Sequence, residues 1–157
     1  MKKLSRAILT AILFFSFSII VNAQISSIVI GVDGFTCSLC AKGVEGQFKS
    51  LSYVKSVHTN LKKTEFTLKF DPKQNINLAD LSQAVTDGGF SVRDIKIDAK
   101  GSISGDESSG YYISVPNITI LSLKDVKGNF AAGDKVSVKG KINSEISSIK
   151  VTSIKKI

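Results

Sequence analysis

Cys37 and Cys40 are the only cysteines in the 157-residue chain. They lie in the segment Gly34-Phe35-Thr36-Cys37-Ser38-Leu39-Cys40. Two thiols at this spacing, on a loop that closes into a helix, can aim both sulfurs at one point. A helix N-terminus adds unpaired N–H groups and a partial positive charge. Both favour thiolate over thiol, and the thiolate is the metal-binding form. Soft thiolates suit Cu(I), which accepts as few as two donors. A closed zinc site usually takes four ligands, and no second cysteine pair exists to complete one. The same two thiols could instead close a structural or redox-active disulfide. Spacing alone leaves both chemistries open.

The elements around this loop follow from hydrophobic period. Ile28, Ile30 and Val32 alternate with small neighbours as a first strand, ended by Asp33-Gly34. Val44, Phe48 and Leu51 recur at helical spacing, so residues 39–50 read as an amphipathic helix. Val57, Thr59 and Leu61 alternate inward on a second strand. Lys62-Lys63 turns the chain, and Phe66, Leu68 and Phe70 alternate on a third, ended by Asp71-Pro72. Asn77 is an N-cap for a helix carrying Leu78, Leu81 and Val85 on one face, and Asp87-Gly88-Gly89 stops it. Phe90, Val92, Ile95 and Ile97 make a fourth strand whose phase slips at Arg93-Asp94, which predicts a bulge. Strand, helix, strand, strand, helix, strand is the order of a ferredoxin-like α+β sandwich, with two helices on one face of an antiparallel sheet.

On these landmarks residues 28–97 resemble the heavy-metal-associated domain family, found in copper chaperones, in copper-transporting ATPases and in the periplasmic mercury-binding protein. Gly34-x-Thr36-Cys37-x-x-Cys40 matches the family's loop, and Val44 and Phe48 match its first helix. Phe70-Asp71-Pro72 and Gly88-Gly89-Phe90 match the landmarks before and after its second helix. The resemblance implies that Cys37 and Cys40 are the metal ligands and that Phe90 packs close to the loop. Phe35 stands where the family commonly has Met, a packing substitution beneath the loop.

Other candidates weigh less. His58 is the only histidine, and its phase on the second strand turns it outward, away from the cysteines. Met1 is the only methionine, which excludes a Met-rich copper surface. Lys42 and Lys49 on the first helix form either a solvated face or a surface that steers an acidic partner.

Past residue 98 the pattern changes. Residues 99–110 are rich in Gly, Ser and acids and read as a linker. Residues 111–157 are β-rich throughout: 112–115, 118–121, 136–138 and 149–154 read as strands, separated by Gly128-Asn129, Ala132-Gly133-Asp134 and Asn143-Ser144. Short strands in so few residues suggest a small all-β module, an OB-like barrel, too small to be comfortably stable alone. Tyr111 and Tyr112 are its candidates for stacking.

At the other end, Lys2, Lys3 and Arg6 precede an apolar run over residues 8–21, and Val21-Asn22-Ala23 offers a cleavage site. Residues 1–23 read as a signal peptide, cut after Ala23. The run is shorter than the ~20 residues a membrane helix needs, which argues against an uncleaved anchor. The formal charge of +8 includes these three bases. Residues 24–98 carry 9 Lys/Arg against 8 acids, and residues 99–157 carry 9 Lys against 5, with no block of like charge. Without aromatic-basic clusters, nucleic acid is not an expected partner.

These readings predict an exported, periplasmic or secreted, non-enzymatic protein of four segments: signal 1–23, metal-binding domain 24–98, linker 99–110 and β module 111–157. The expected cargo is Cu(I), with Hg(II) or Zn(II)/Cd(II) as alternatives on the same fold. It would pass by ligand exchange to a metal acceptor protein or a membrane transporter exposed outside the cytoplasm. No membrane span is expected after signal cleavage. Thiol–disulfide exchange is the competing function.

Overall fold

The computed structural model describes residues 24–157, apart from 35 and 144. The signal segment 1–23, Phe35 and Ser144 lie outside the described residues.

Four strands and two helices come first: β1 (Gln24–Asp33), α1 (Ser38–Ser50), β2 (Val54–Asn60), β3 (Glu65–Phe70), α2 (Leu78–Asp87) and β4 (Ser91–Asp106). The strands pair antiparallel in the order β2-β3-β1-β4, the arrangement expected of a ferredoxin-like sandwich. The apolar stripe of α1, Ala41, Val44 and Phe48, is buried, and the Phe48 ring packs edge-on to Phe66 of β3 at 5.4 Å. Burial of Val44 and Phe48 contributes roughly 1.5–3 kcal/mol each. α2 begins where Asn77 accepts a hydrogen bond from the Ala79 amide at 3.0 Å, and it buries Leu78, Leu81, Ala84 and Val85. Gly89, at φ +83°, ends it in a conformation that favours glycine. The predicted bulge lies at Arg93: Val32 faces Val92, but Gly31 faces Asp94. Leu61, expected to point inward on β2, sits instead in the 61–64 turn and is half exposed.

The expected linker is not a linker. Residues 99–106 continue β4 without a break, and the chain reverses only at 107–109 before β5 (Gly110–Ser114). The remaining strands are β6 (Leu121–Lys124), β7 (Lys135–Ile142) and β8 (Ser148–Lys156). β4 pairs with β5, β5 with β6, β6 in parallel with β8, β8 with β7, and β7 with β4 again. Five strands thus close a ring, and β4 belongs both to it and to the helix-backed sheet. Buried Ile95, Ile97, Ala99, Gly101 and Ile103 form one continuous face along β4, and one core runs through both parts.

Two structural needs explain the misread composition. A Cβ on Gly101 would collide with the Ser114 carbonyl oxygen and the Ile113 side chain, so the ring closes only where β4 carries no side chain. The Ser and acid residues build the turn, where Asp106 accepts the amides of Ser108 and Ser109 at 2.9 and 2.7 Å. The run 118–121 is also displaced, with β6 starting only at Leu121. Asn117, at φ +68°, donates its side-chain amide to the Pro72 carbonyl at 2.6 Å, and its own carbonyl accepts the Ile76 amide at 2.8 Å. The backbone before β6 is therefore engaged with the loop ahead of α2.

Candidate functional site

The cysteine loop joins the end of β1 to the start of α1. Gly34 takes φ +99°, a turn that L side chains resist, and so releases the chain from the strand. Cys37 is the N-cap of α1, with extended backbone at φ −117° and ψ 152°. Its sulfur accepts the Cys40 amide at 3.1 Å, and its carbonyl accepts the Ala41 amide at 3.2 Å. The cap that serine or aspartate oxygen provides elsewhere is here provided by sulfur. No acidic residue lies in the first turn of α1, so nothing there opposes the positive end of the helix.

The two sulfurs are joined as a disulfide, with the Cα atoms 5.4 Å apart. Disulfide formation and metal ligation are both served by this geometry, because each requires the two Sγ atoms to converge. Cys37 is exposed and Cys40 half-buried. Between them Leu39 is 76% exposed, an apolar side chain held in solvent beside the sulfurs. Reduction of the disulfide would present two thiols at an accessible helix end. Among the described residues no cluster of three or more His, Cys, Asp or Glu side chains could hold a metal, so the donor set at the loop is the two sulfurs.

Phe90 supports the loop from below. It is half-buried against the core, and a Cβ on Gly34 would lie 3.4 Å from its ring. Arg93, which sequence reasoning used only to mark a bulge, ties the root of the loop to the sheet. Its guanidinium donates to Asp33 at 3.1 Å, to the Thr64 hydroxyl at 2.7 Å and to the Lys63 carbonyl at 3.0 Å. The phase slip was its only signal: a bulge turns an extra side chain toward the strand ends.

His58 is exposed on β2, with β3 between it and β1. Lys42 is exposed on α1, while Lys49 pairs with Glu45 one turn away. That lysine and then the Thr59 hydroxyl hold the Glu45 carboxyl below its ordinary range. Tyr111 packs edge-on against Phe130 at 6.0 Å, and Tyr112 is exposed on β5.

Comparison with known proteins places this architecture. A family model described as the heavy-metal-associated domain matches residues 29–91. The copper chaperone CopZ of Bacillus subtilis is 33% identical over 61 residues, which cover 39% of this chain and 87% of that protein. Copper-transporting ATPase 1 of Mus musculus is 36% identical over 62 residues, 40% of this chain but only 4% of the ATPase. A solved structure described as "CopZ metallochaperone" aligns with TM-score 0.40 and 24% identity, covering 43% of this chain and 98% of that one. The family match ends before the ring begins.

Proposed function

This chain belongs to the heavy-metal-associated domain family, and from that premise we propose that it is an exported copper carrier that binds Cu(I) between Cys37 and Cys40 and passes it on by ligand exchange. The observation that carries the reading is the convergence of two sulfurs at an exposed helix N-terminus, within a domain similar to a copper chaperone and to a segment of a copper-transporting ATPase.

The loop's chemistry supports a carrier more than a resident site. Two electrons and two protons open the disulfide to two thiols, supplied by an external thiol reductant. The positive end of α1 then favours loss of the thiol protons. With two sulfur donors and, among the described residues, no cluster supplying a third, Cu(I) would stay open to an incoming thiolate. That thiolate adds, a transient three-sulfur bridge forms, and either Cys37 or Cys40 leaves. Its source would be a metal donor or acceptor protein, or a membrane transporter presenting its site outside the cytoplasm. The basic, apolar, small-residue pattern of residues 1–23 supports export. In an oxidising compartment the disulfide and the loaded site compete for the same sulfurs, so metal occupancy depends on reduction. Closure of five strands supports the OB-like reading of the C-terminal module.

The disulfide favours one second reading, thiol–disulfide exchange. Anaerobic titration of the reduced protein against a chromophoric Cu(I) chelator separates the two. One Cu(I) per chain is expected, with affinity lost by orders of magnitude in Cys37→Ser or Cys40→Ser. Unchanged binding in the double variant sinks the carrier reading. Turnover of an unrelated disulfide substrate would support exchange instead. Parallel titrations with Hg(II), Zn(II) and Cd(II) rank the cargo.

A further inference from the structure

Four lysines stand in register across four neighbouring strands. Lys96 of β4 faces Lys141 of β7, Lys141 faces Lys150 of β8, and Lys150 faces Lys124 of β6. Residues paired in this way project from the same face of a sheet. Their neighbours along each strand, Ile95, Ile142, Ile149 and Leu123, are buried, so the lysines point away from the core. At strand spacings of about 4.8 Å the row spans about 14 Å.

Like charges placed directly opposite one another destabilise a sheet. The neighbouring acids only partly offset them. Asp94 lies 3.6 Å from Lys96 and 3.4 Å from Lys141, Glu65 lies 2.6 Å from Lys96, and Asp125 lies 3.5 Å from Lys150. Among the described residues no ion pair reaches Lys124. The row is thus a surplus of positive charge in fixed register.

Beside it the seam between β6 and β8, which closes the ring, is short and runs out. β6 ends at Lys124, while β8 runs on from Val151 with β7 as its only strand partner among the described residues. The segment after β6 diverges and leaves a cleft of about 1030 Å³ between residues 125–127 and 151–154. Val126, Val151 and Ile154 give it apolar walls, and Lys127, Lys141 and Lys150 outnumber the Asp125 carboxylate on its rim. A bare main-chain edge, apolar walls and a cationic rim together suit an extended polypeptide carrying carboxylates. A lipid headgroup or a phosphate chain would use the lysines alone.

We propose that this lysine row and the adjoining cleft bind an acidic, extended segment of a partner protein, laid along the open edge of β8. The site is separate from the cysteine loop and does not depend on metal.

The test is fluorescence anisotropy of the full-length chain with a labelled peptide of alternating Glu and Val. The acidic peptide should bind, more weakly as salt rises. The double variant Lys141→Glu with Lys150→Glu should weaken binding by at least about tenfold, and the milder Lys141→Gln with Lys150→Gln by less. Reversal of Lys42 and Lys49 on α1 should change it by less than about twofold. Circular dichroism melts check that each variant folds, and if the Glu pair does not, the Gln pair decides. The proposal is overturned by absence of binding, by binding indifferent to both row variants, or by phosphatidylglycerol vesicles or polyphosphate that displace the peptide and bind more tightly than it does. Binding that survives in the Cys37→Ser/Cys40→Ser variant keeps this result independent of the copper reading.

Discussion

The two halves of β4 solve different packing problems with one alternation. In residues 91–98 the buried positions are Ile95 and Ile97, whose bulk helps fill the core beneath the helices. In residues 99–106 they are Ala99, Gly101 and Ile103, and the small residues stand where the ring bends onto itself. Around Ser102 the strand has partners on both edges, Ser114 on one and Lys135 on the other. Core depth is the same in both halves, but available volume is not. Side-chain size along a strand therefore reports curvature as well as burial.

The largest expected effect breaks the helix-backed half. Phe48→Ala leaves a cavity against Phe66 and should cost ~3–5 kcal/mol in denaturant unfolding. Because β4 and one core serve both halves, the whole chain should still unfold in a single transition, and two separated transitions would contradict a shared core. Next is Gly101→Val, which forces a side chain into the closed ring. It should cost about 1–3 kcal/mol, with lost amide-exchange protection concentrated in β4 and β5. After reduction, the Cys37 and Cys40 loop should keep its reactivity toward a thiol reagent, since it lies at the other end of β4.

The smallest effect is at the turn that was read as linker. The hydroxyl of Ser108, then the amide and hydroxyl of Ser109, hold the Asp106 carboxyl well below the usual carboxylate range. A carboxyl depressed in the folded state contributes stability that is present above its unfolded pKa and is lost as pH falls toward the folded one. Asp106→Asn should therefore flatten the acid limb of a melting-temperature profile below about pH 4. An unchanged acid limb would place the acid sensitivity elsewhere.

The helix-backed half was legible because its signals are local and periodic. Val44 and Phe48, Asn77 with Leu78 and Leu81, and the slip at Arg93 each announce an element within a few residues. The cysteine pair was legible for the same reason, since spacing and helix position are both written along the chain. Residues 99–110 were misread because a strand bent into a ring needs small residues, and small residues also make linkers. The start of β6 was misplaced because Asn117 binds Pro72, a contact across 45 positions that no local period records. Arg93's clamp on Asp33 and the lysine row have the same cause, being properties of register between distant strands.

We propose that Cys37 and Cys40 carry copper outside the cytoplasm. The most direct test is the metal content of the protein isolated from its native compartment under anaerobic, reducing handling. Expected is the exported, processed chain with copper bound, up to one ion each, and none in the Cys37→Ser/Cys40→Ser variant. Protein retained in the cytoplasm, or exported protein carrying another metal or no metal in either form, would contradict it.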